Sequence, residues 1–501
     1  MKKRILPLIL CALLLSGCFT GCSESADSNT SDTSSSTEAD NTVNTPVSEE
    51  TETEEETELT PNLPANTDMG GKTFNILAAG FFSWDPLGIW DISAEELNGE
   101  GINDATFNRN EYMRETYNCD IHEIATGHCD EALTLLQTAV TAGINDYDIA
   151  LIRSWNYASA VTGNLLTELK DLTHCNYDMP WWDTNVRDQL AVAGKQFVIN
   201  GGFTISDEVA KNCMYFHKGL LAEFQLENPY VLVHNGTWTF DKMISMTEGV
   251  NADLDNDGEW TNKDRYGIIH VDDTPGLLVN AFNSRYVTKD KDGNLSLTIG
   301  EEGTVTKIMH MIEAFSDRTV VFNVSHRSDN TNVDEMGMFM ANQSLFSMAG
   351  IWYCPTYRSM EEDFGILPFP KYDETQQEYL SPSSAIANTL VSVPRTNADH
   401  ENTSIFLEDY SYQGYKNLVP AFYDSLLQGK VARDEDSCDM LDLIFGNPIL
   451  DVGIICEFGG YPALINSKTA SFDSNIVSDF VSKEKVALKL MDKMVSALKE
   501  G

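Results

Sequence analysis

Between Asp253 and Asp264 the chain reads Asp253-Leu254-Asp255-Asn256-Asp257-Gly258-Glu259-Trp260-Thr261-Asn262-Lys263-Asp264, with acids at loop positions 1, 3, 5 and 12 and a glycine at 6. Calcium takes about six to eight oxygen ligands, and twelve-residue calcium loops supply them in this order. Side-chain oxygens of Asp253, Asp255 and Asp257 would converge on one point, Glu259 would lend its carbonyl, and Gly258 permits the sharp turn. Thr261 would contribute directly or through water. Asp264 stands where a longer Glu is usual. Without a cation, carboxylates this close repel each other. The expectation is a structural calcium ion held by Asp253, Asp255, Asp257, Glu259 and Asp264; the alternative is a solvated acidic turn.

A second chemistry comes from aromatic residues placed just after apolar runs. Phe81, Phe82 and Trp84 follow one such run, Trp155, Asn156 and Tyr157 another, and Trp352 and Tyr353 a third; Glu457, Phe458 and Tyr461 follow Val452 to Ile455. Flat apolar rings stack on the C–H faces of sugars, while neighbouring polar groups bond the hydroxyls. Trp84, Trp155, Asn156, Trp352, Glu457 and Tyr461 are therefore the candidate ligand residues, against the plainer reading that they cap a core. Trp238 is different: Thr239 behind it suits a helix cap, so Trp238 is expected to pack. Trp181 and Trp182 have no assignment.

These positions need elements to hold them. Lys72 to Ala79 has the pattern of a short strand, and Asn103 or Asp104 starts a helix running to about Tyr117. Asp130 caps a further helix, with Leu133, Leu136 and Val140 at helical spacing and Gly143 past its end. Tyr147 to Arg153 and Leu345 to Ile351 are apolar enough for strands buried on both faces. Strand, helix, strand at this spacing predicts an α/β fold with a parallel sheet and right-handed crossovers. Ligands of such sheets bind beyond the carboxyl ends of the strands, which is where the aromatics fall.

The formal net charge is −44, so no attraction to nucleic acid or anionic lipid is expected. Seven of the ten cysteines lie beyond Cys22, scattered and without a CxxC pair. GxSxG, HExxH and phosphate-loop motifs are absent, so no catalytic residue is assigned and the chain is expected not to be an enzyme; a glycoside hydrolase would need two carboxylates at a defined separation. After Gly70 no Pro/Ser/Gly-rich linker interrupts a stretch long enough for two cores, which predicts interleaved domains.

Lys2, Lys3 and Arg4 precede an apolar stretch too short to span a bilayer. It ends on Leu15-Ser16-Gly17-Cys18, which resembles the lipobox of bacterial lipoproteins. That resemblance implies a signal peptide over 1–17, lipidation of Cys18 and a location on the outer face of the cell membrane, with the lipid as sole membrane anchor. Residues 18–69 are mostly Ser, Thr, Asn and acids, the composition of a disordered tether. The acidic loop, with Asp at its last position, resembles the calcium loops of dockerin modules.

The rest of the chain resembles the extracellular solute-binding proteins of carbohydrate ABC importers. The resemblance rests on Gly101-Ile102-Asn103-Asp104-Ala105 leading to Arg109-Asn110, Tyr147-Asp148-Ile149-Ala150, Gly236-Thr237-Trp238-Thr239-Phe240-Asp241, the acidic loop with Arg265-Tyr266-Gly267, and Ile366-Leu367-Pro368-Phe369-Pro370-Lys371-Tyr372-Asp373, in that order. It implies a two-lobe periplasmic-binding-protein-like fold with interleaved lobes and a central ligand cleft. The first lobe would span 70–211 and 385–418, the second 212–384 and 419–501. Trp155 and Trp352 would be aromatic ligand positions of the two lobes, facing each other across the cleft. A sugar or oligosaccharide and ABC permease subunits would be the partners. The alternative readings are a surface glycan-binding lipoprotein without a transporter and, behind it, a glycoside hydrolase.

Overall fold

The computed structural model describes residues 59–80, 91–128, 130–325, 335–427 and 435–500. Cys18 and Trp84, together with Phe81 and Phe82, lie outside the described residues.

Fourteen strands are named here in chain order: β1 (Lys72–Ala78), β2 (Cys119–Ala125), β3 (Ile149–Arg153), β4 (Val198–Ile199), β5 (Asn212–His217), β6 (Tyr266–His270), β7 (Val287–Lys289), β8 (Leu295–Leu297), β9 (Val321–Asn323), β10 (Ser344–Gly350), β11 (Phe364–Leu367), β12 (Ser381–Pro382), β13 (Thr389–Ser392) and β14 (Pro448–Ile449). Two five-stranded sheets carry the fold, ordered β2-β1-β3-β13-β4 and β11-β5-β10-β6-β9.

In the first sheet β1 runs parallel to both β2 and β3, with Ile76 opposite Glu123 on one side and Ile149 on the other. Every residue of β3 is buried, as a continuous apolar run between two layers requires. The helix Glu131–Ala142 links β2 to β3 and stops at Gly143, whose φ of 68° is open to glycine without strain. The helix Gly101–Tyr117 buries Arg109, Asn110, Met113 and Tyr117 and packs against the helix His400–Gln413. Below them Phe74 and Phe406 stack at 4.1 Å between centroids.

In the second sheet β10 is parallel to β6 and β6 to β9, while β5 runs antiparallel to β10 and β11. Trp238 is fully buried and donates from Nε1 to the Pro368 carbonyl at 3.1 Å, and Thr239 caps its helix through the amide of Lys242; both follow the sequence expectation. Trp181 and Trp182 are core residues of the first lobe, Trp181 edge-on to Tyr412 and Trp182 bonded to Glu408.

The chain passes between the sheets more than once. It leaves the first sheet after β4 for β5, and returns from β11 to β13. Beyond β13, the helix Val419–Leu427 lies against the helix Gly101–Tyr117 of the first lobe and the helix Cys354–Tyr357 of the second. The final helix, Val477–Glu500, packs on both the first-lobe helix Tyr157–Thr162 and β8. The β7–β8 hairpin also reaches the first lobe. Lys289 Nζ donates to the carbonyls of Ala191, at 2.6 Å, and Asp188, and Ala193 N donates to Gly293 O at 3.1 Å. No helix among the described residues is long and apolar enough to cross a membrane.

Candidate ligand site at the strand ends and the acidic loop

At the carboxyl end of β3 the chain closes a short 3-10 turn, Ser154–Asn156. The preceding Arg153 is buried, and its guanidinium ties the Ala387 carbonyl at 2.8 Å to the Gly80 carbonyl at 2.9 Å. Ser154 donates from its amide and its hydroxyl to Asn388 O, at 3.0 and 3.1 Å. The turn is thus anchored to β1 and to the strand returning from the second lobe. Trp155 stands on it half-exposed, with Nε1 donating to Asp130 Oδ1 at 2.7 Å.

Asn156 is 8% exposed, and its Nδ2 goes to the same Asp130 oxygen at 3.2 Å. The carboxamide expected to meet ligand is therefore turned to Asp130. Sequence reasoning placed Asp130 as a helix cap; it holds the N-cap position but makes no side-chain cap bond. Its proximity to Trp155 depends on the parallel order β2-β1-β3 in the first sheet, which no local spacing reveals.

The apolar run Val452–Ile455 is a short helical turn that packs against the Ser154–Asn156 turn. Glu457 follows it, exposed, with φ 46° and ψ 39°, a left-handed conformation uncommon outside glycine. Tyr461 departs from expectation. It is 2% exposed, its hydroxyl donates to Phe480 O at 3.0 Å, and its ring meets Phe480 edge-on at 5.0 Å. A phenol satisfied inside the packing of the last helix has no face left for ligand.

Across the fold, Trp352 sits in the turn after β10 but is only 8% exposed. Its ring lies over Gly350, where a Cβ would come within 1.9 Å of it, and stands edge-on to Tyr353 at 5.7 Å. It is packed into the second-lobe core rather than presented as an open platform. Its Nε1 is buried with no hydrogen-bond partner among the described residues. At the end of β6, which sequence reasoning did not single out, come Asp272 and Asp273. Asp272 accepts from Asn323 Nδ2 at 3.2 Å, and burial, with a smaller push from Asp272, raises Asp273 to about 6. The apolar run Tyr266–His270 was the available signal for this strand end.

In the acidic loop, carboxylate oxygens of Asp253, Asp255 and Asp257 all lie within 4.8 Å of one another. Gly258 takes φ +82°. Asp253 Oδ2 accepts the Gly258 amide at 2.9 Å, while its Oδ1 is buried without a partner among the described residues. Asp264 behaves differently from a ligand. It is fully buried, Oδ1 accepting from Leu254 N at 3.0 Å and Oδ2 from Thr261 N at 2.8 Å, so both oxygens hold the loop closed. Glu259 is exposed, consistent with a backbone role at most. Three converging carboxylates with one orphaned oxygen fit a hard cation; the position-12 ligand is replaced by a structural clasp.

No family model matches the chain, and no curated protein sequence matches it. Solved structures do. An ABC substrate-binding protein from Listeria monocytogenes in complex with cycloalternan superposes with a TM-score of 0.53 at 13% identity, covering 86% of this chain and 99% of that one. The maltose/maltodextrin-binding domain MalE from Bdellovibrio bacteriovorus bound to maltotriose gives 0.51 at 12% identity, covering 85% and 100%. UgpB from Mycobacterium tuberculosis in complex with glycerophosphocholine gives 0.52 at 14%, covering 85% and 99%. The chain has the two-lobe α/β fold of these solute-binding proteins.

Proposed function

We propose that this chain captures a sugar or oligosaccharide between its two lobes outside the cytoplasm and delivers it to the permease of an ABC importer, doing no chemistry on it. The observation that carries the reading is the half-exposed Trp155, set on a rigid turn beyond the carboxyl end of a parallel strand, where open α/β folds bind ligands. Glu457 in the adjoining turn supplies a further hydroxyl acceptor. The structural neighbours with bound cycloalternan and maltotriose support a carbohydrate ligand. The Leu15-Ser16-Gly17-Cys18 sequence supports anchoring through a lipid on Cys18, with residues 18–69 as tether. A structural calcium ion held by Asp253, Asp255 and Asp257, with the Glu259 carbonyl, completes the proposal.

Melting temperature with neutral glycans, and separately with glycerophosphocholine, tests it. Ligand at a hundred times its Kd adds about 2.7 kcal/mol to folding. A shift with glycerophosphocholine and none with any glycan would defeat the carbohydrate reading.

A further inference from the structure

Among the described residues, Asp130 accepts from two side-chain donors of the Trp155 turn. Its backbone, φ −90° and ψ −9°, is already helical, and its side chain leaves the helix amides uncapped. Oδ1 instead takes the Trp155 indole N–H at 2.7 Å and the Asn156 amide at 3.2 Å. These two bonds use the lone pairs of one oxygen and leave Oδ2 as an acceptor. The residue is exposed, makes no ion pair with a lysine or arginine among the described residues, and stands in a chain of net charge −44.

We propose that Asp130 is the positioning and specificity residue of the site: Oδ1 fixes the plane of the Trp155 ring, and Oδ2 accepts a hydroxyl of the sugar stacked on it. A carboxylate offers acceptors only. A neutral polyhydroxylated ring supplies the donors it needs. A sugar bearing a carboxylate or phosphate brings a like charge against an acid that no lysine or arginine among the described residues pairs, and such juxtaposition is a strong means of rejecting wrong partners. The ligand class is therefore neutral glycans, with acidic sugars excluded. This rests on the carbohydrate reading above, and the experiment separates the two.

Asp130→Ala and Asp130→Asn are compared with the parent by calorimetry against maltotriose, cellotriose and xylotriose and the C6-carboxylated counterparts of the first two. Tryptophan emission is recorded without ligand, in the parent and in a Trp155→Phe background. Asp130→Ala is expected to change the emission, with the change vanishing in the Trp155→Phe background, and to weaken the neutral glycan at least about tenfold. Asp130→Asn keeps an oxygen for the indole, so its emission stays parental. Its neutral-glycan affinity falls, while its preference for the neutral over the acidic sugar shrinks by about tenfold or more. Unchanged emission in Asp130→Ala overturns the positioning role whether or not any ligand is found. An unchanged neutral-to-acidic ratio in Asp130→Asn overturns the specificity role. If the parent binds no glycan of either kind, the carbohydrate reading and the specificity role built on it fall together, while the emission arm still decides the positioning role.

Discussion

The Arg153 guanidinium donates to the carbonyl of Ala387 at 2.8 Å, joining the end of β3 to the segment that returns from the second lobe. Its other nitrogen holds Gly80 O at 2.9 Å, and Ser154 beside it is bonded twice to Asn388 O. The turn bearing Trp155 is consequently fixed by main-chain partners and a buried cation.

Trp155→Ala is therefore expected to lose affinity without losing the fold. Removing a central aromatic anchor costs about 2 kcal/mol of binding or more, roughly a 30-fold rise in Kd; urea stability should change by less than about 1 kcal/mol. Arg153→Ala should do the reverse, leaving the buried Gly80 carbonyl and the half-buried Ala387 carbonyl without this partner, at about 1–3 kcal/mol for the buried one. Calorimetric affinity beside urea unfolding for both variants decides it. A large stability loss in Trp155→Ala with affinity intact would make the ring structural.

Trp352→Ala is expected to destabilise the second lobe by about 3–5 kcal/mol, the usual cost of emptying a large aromatic site, because the ring is 8% exposed and packed on Gly350. Gly350→Ala should also be severe, since its methyl would fall 1.9 Å from that ring. Urea midpoints give the answer, and near-parental stability of Trp352→Ala would return this residue to the ligand side.

The elements nearest Trp155 were legible because they are locally regular. β1, β3 and the helix Glu131–Ala142 follow from apolar runs, helical spacing and the Gly143 stop. β2 was not, because Asp120, His122 and Glu123 break its pattern at the edge of the sheet; its identity comes from pairing with β1. The site divided in the same way. Trp155 could be placed from its strand, whereas Asp130 reaches it only through the packing of three parallel strands. Tyr461 was misread since its partner, Phe480, lies on a helix whose docking no local pattern specifies. Asp264 fills a ligand position in the spacing, yet the backbone amides it meets are set by the folded loop.

Glu123 on β2 should make stability depend on pH. Burial, with the charge of Asp91 adding to it, raises its carboxyl from 4.5 to about 7. The native state then holds the proton more tightly than the unfolded chain, so this group's contribution to stability falls as pH rises from 4.5 to about 7 and stays unfavourable above. Glu123→Gln, which cannot ionise, is expected to be more stable than the parent by about 1–2 kcal/mol at pH 8 and nearly equal to it at pH 4.5. Urea unfolding at the two pH values measures this; an equal difference at both would mean that Glu123 does not titrate there.

Asp257 and Asp264 occupy the same acidic loop, and their loss should differ in its effect on the response to calcium. Asp257 lies in the cluster of three carboxylates within 4.8 Å, and its bond to the Glu259 amide at 2.8 Å is made at an exposed surface. Removing it takes away one of the three carboxylates proposed to hold calcium and little else. Asp264 is buried, and its two oxygens satisfy the amides of Leu254 and Thr261, so its loss leaves two donors unpaired at about 1–3 kcal/mol each. The parent should melt several degrees lower in chelator than in calcium, since a ligand bound only to the native state stabilises it by mass action. Asp257→Ala should melt near the chelated parent in both conditions. Asp264→Ala should melt lower than the parent in both, because the clasp acts with or without the ion. Calorimetric melting of the three proteins in calcium and in chelator is the measurement. If chelator leaves the parent unchanged and metal analysis finds no calcium, the three carboxylates form a solvated turn, and only the Asp264 clasp remains of the loop's design.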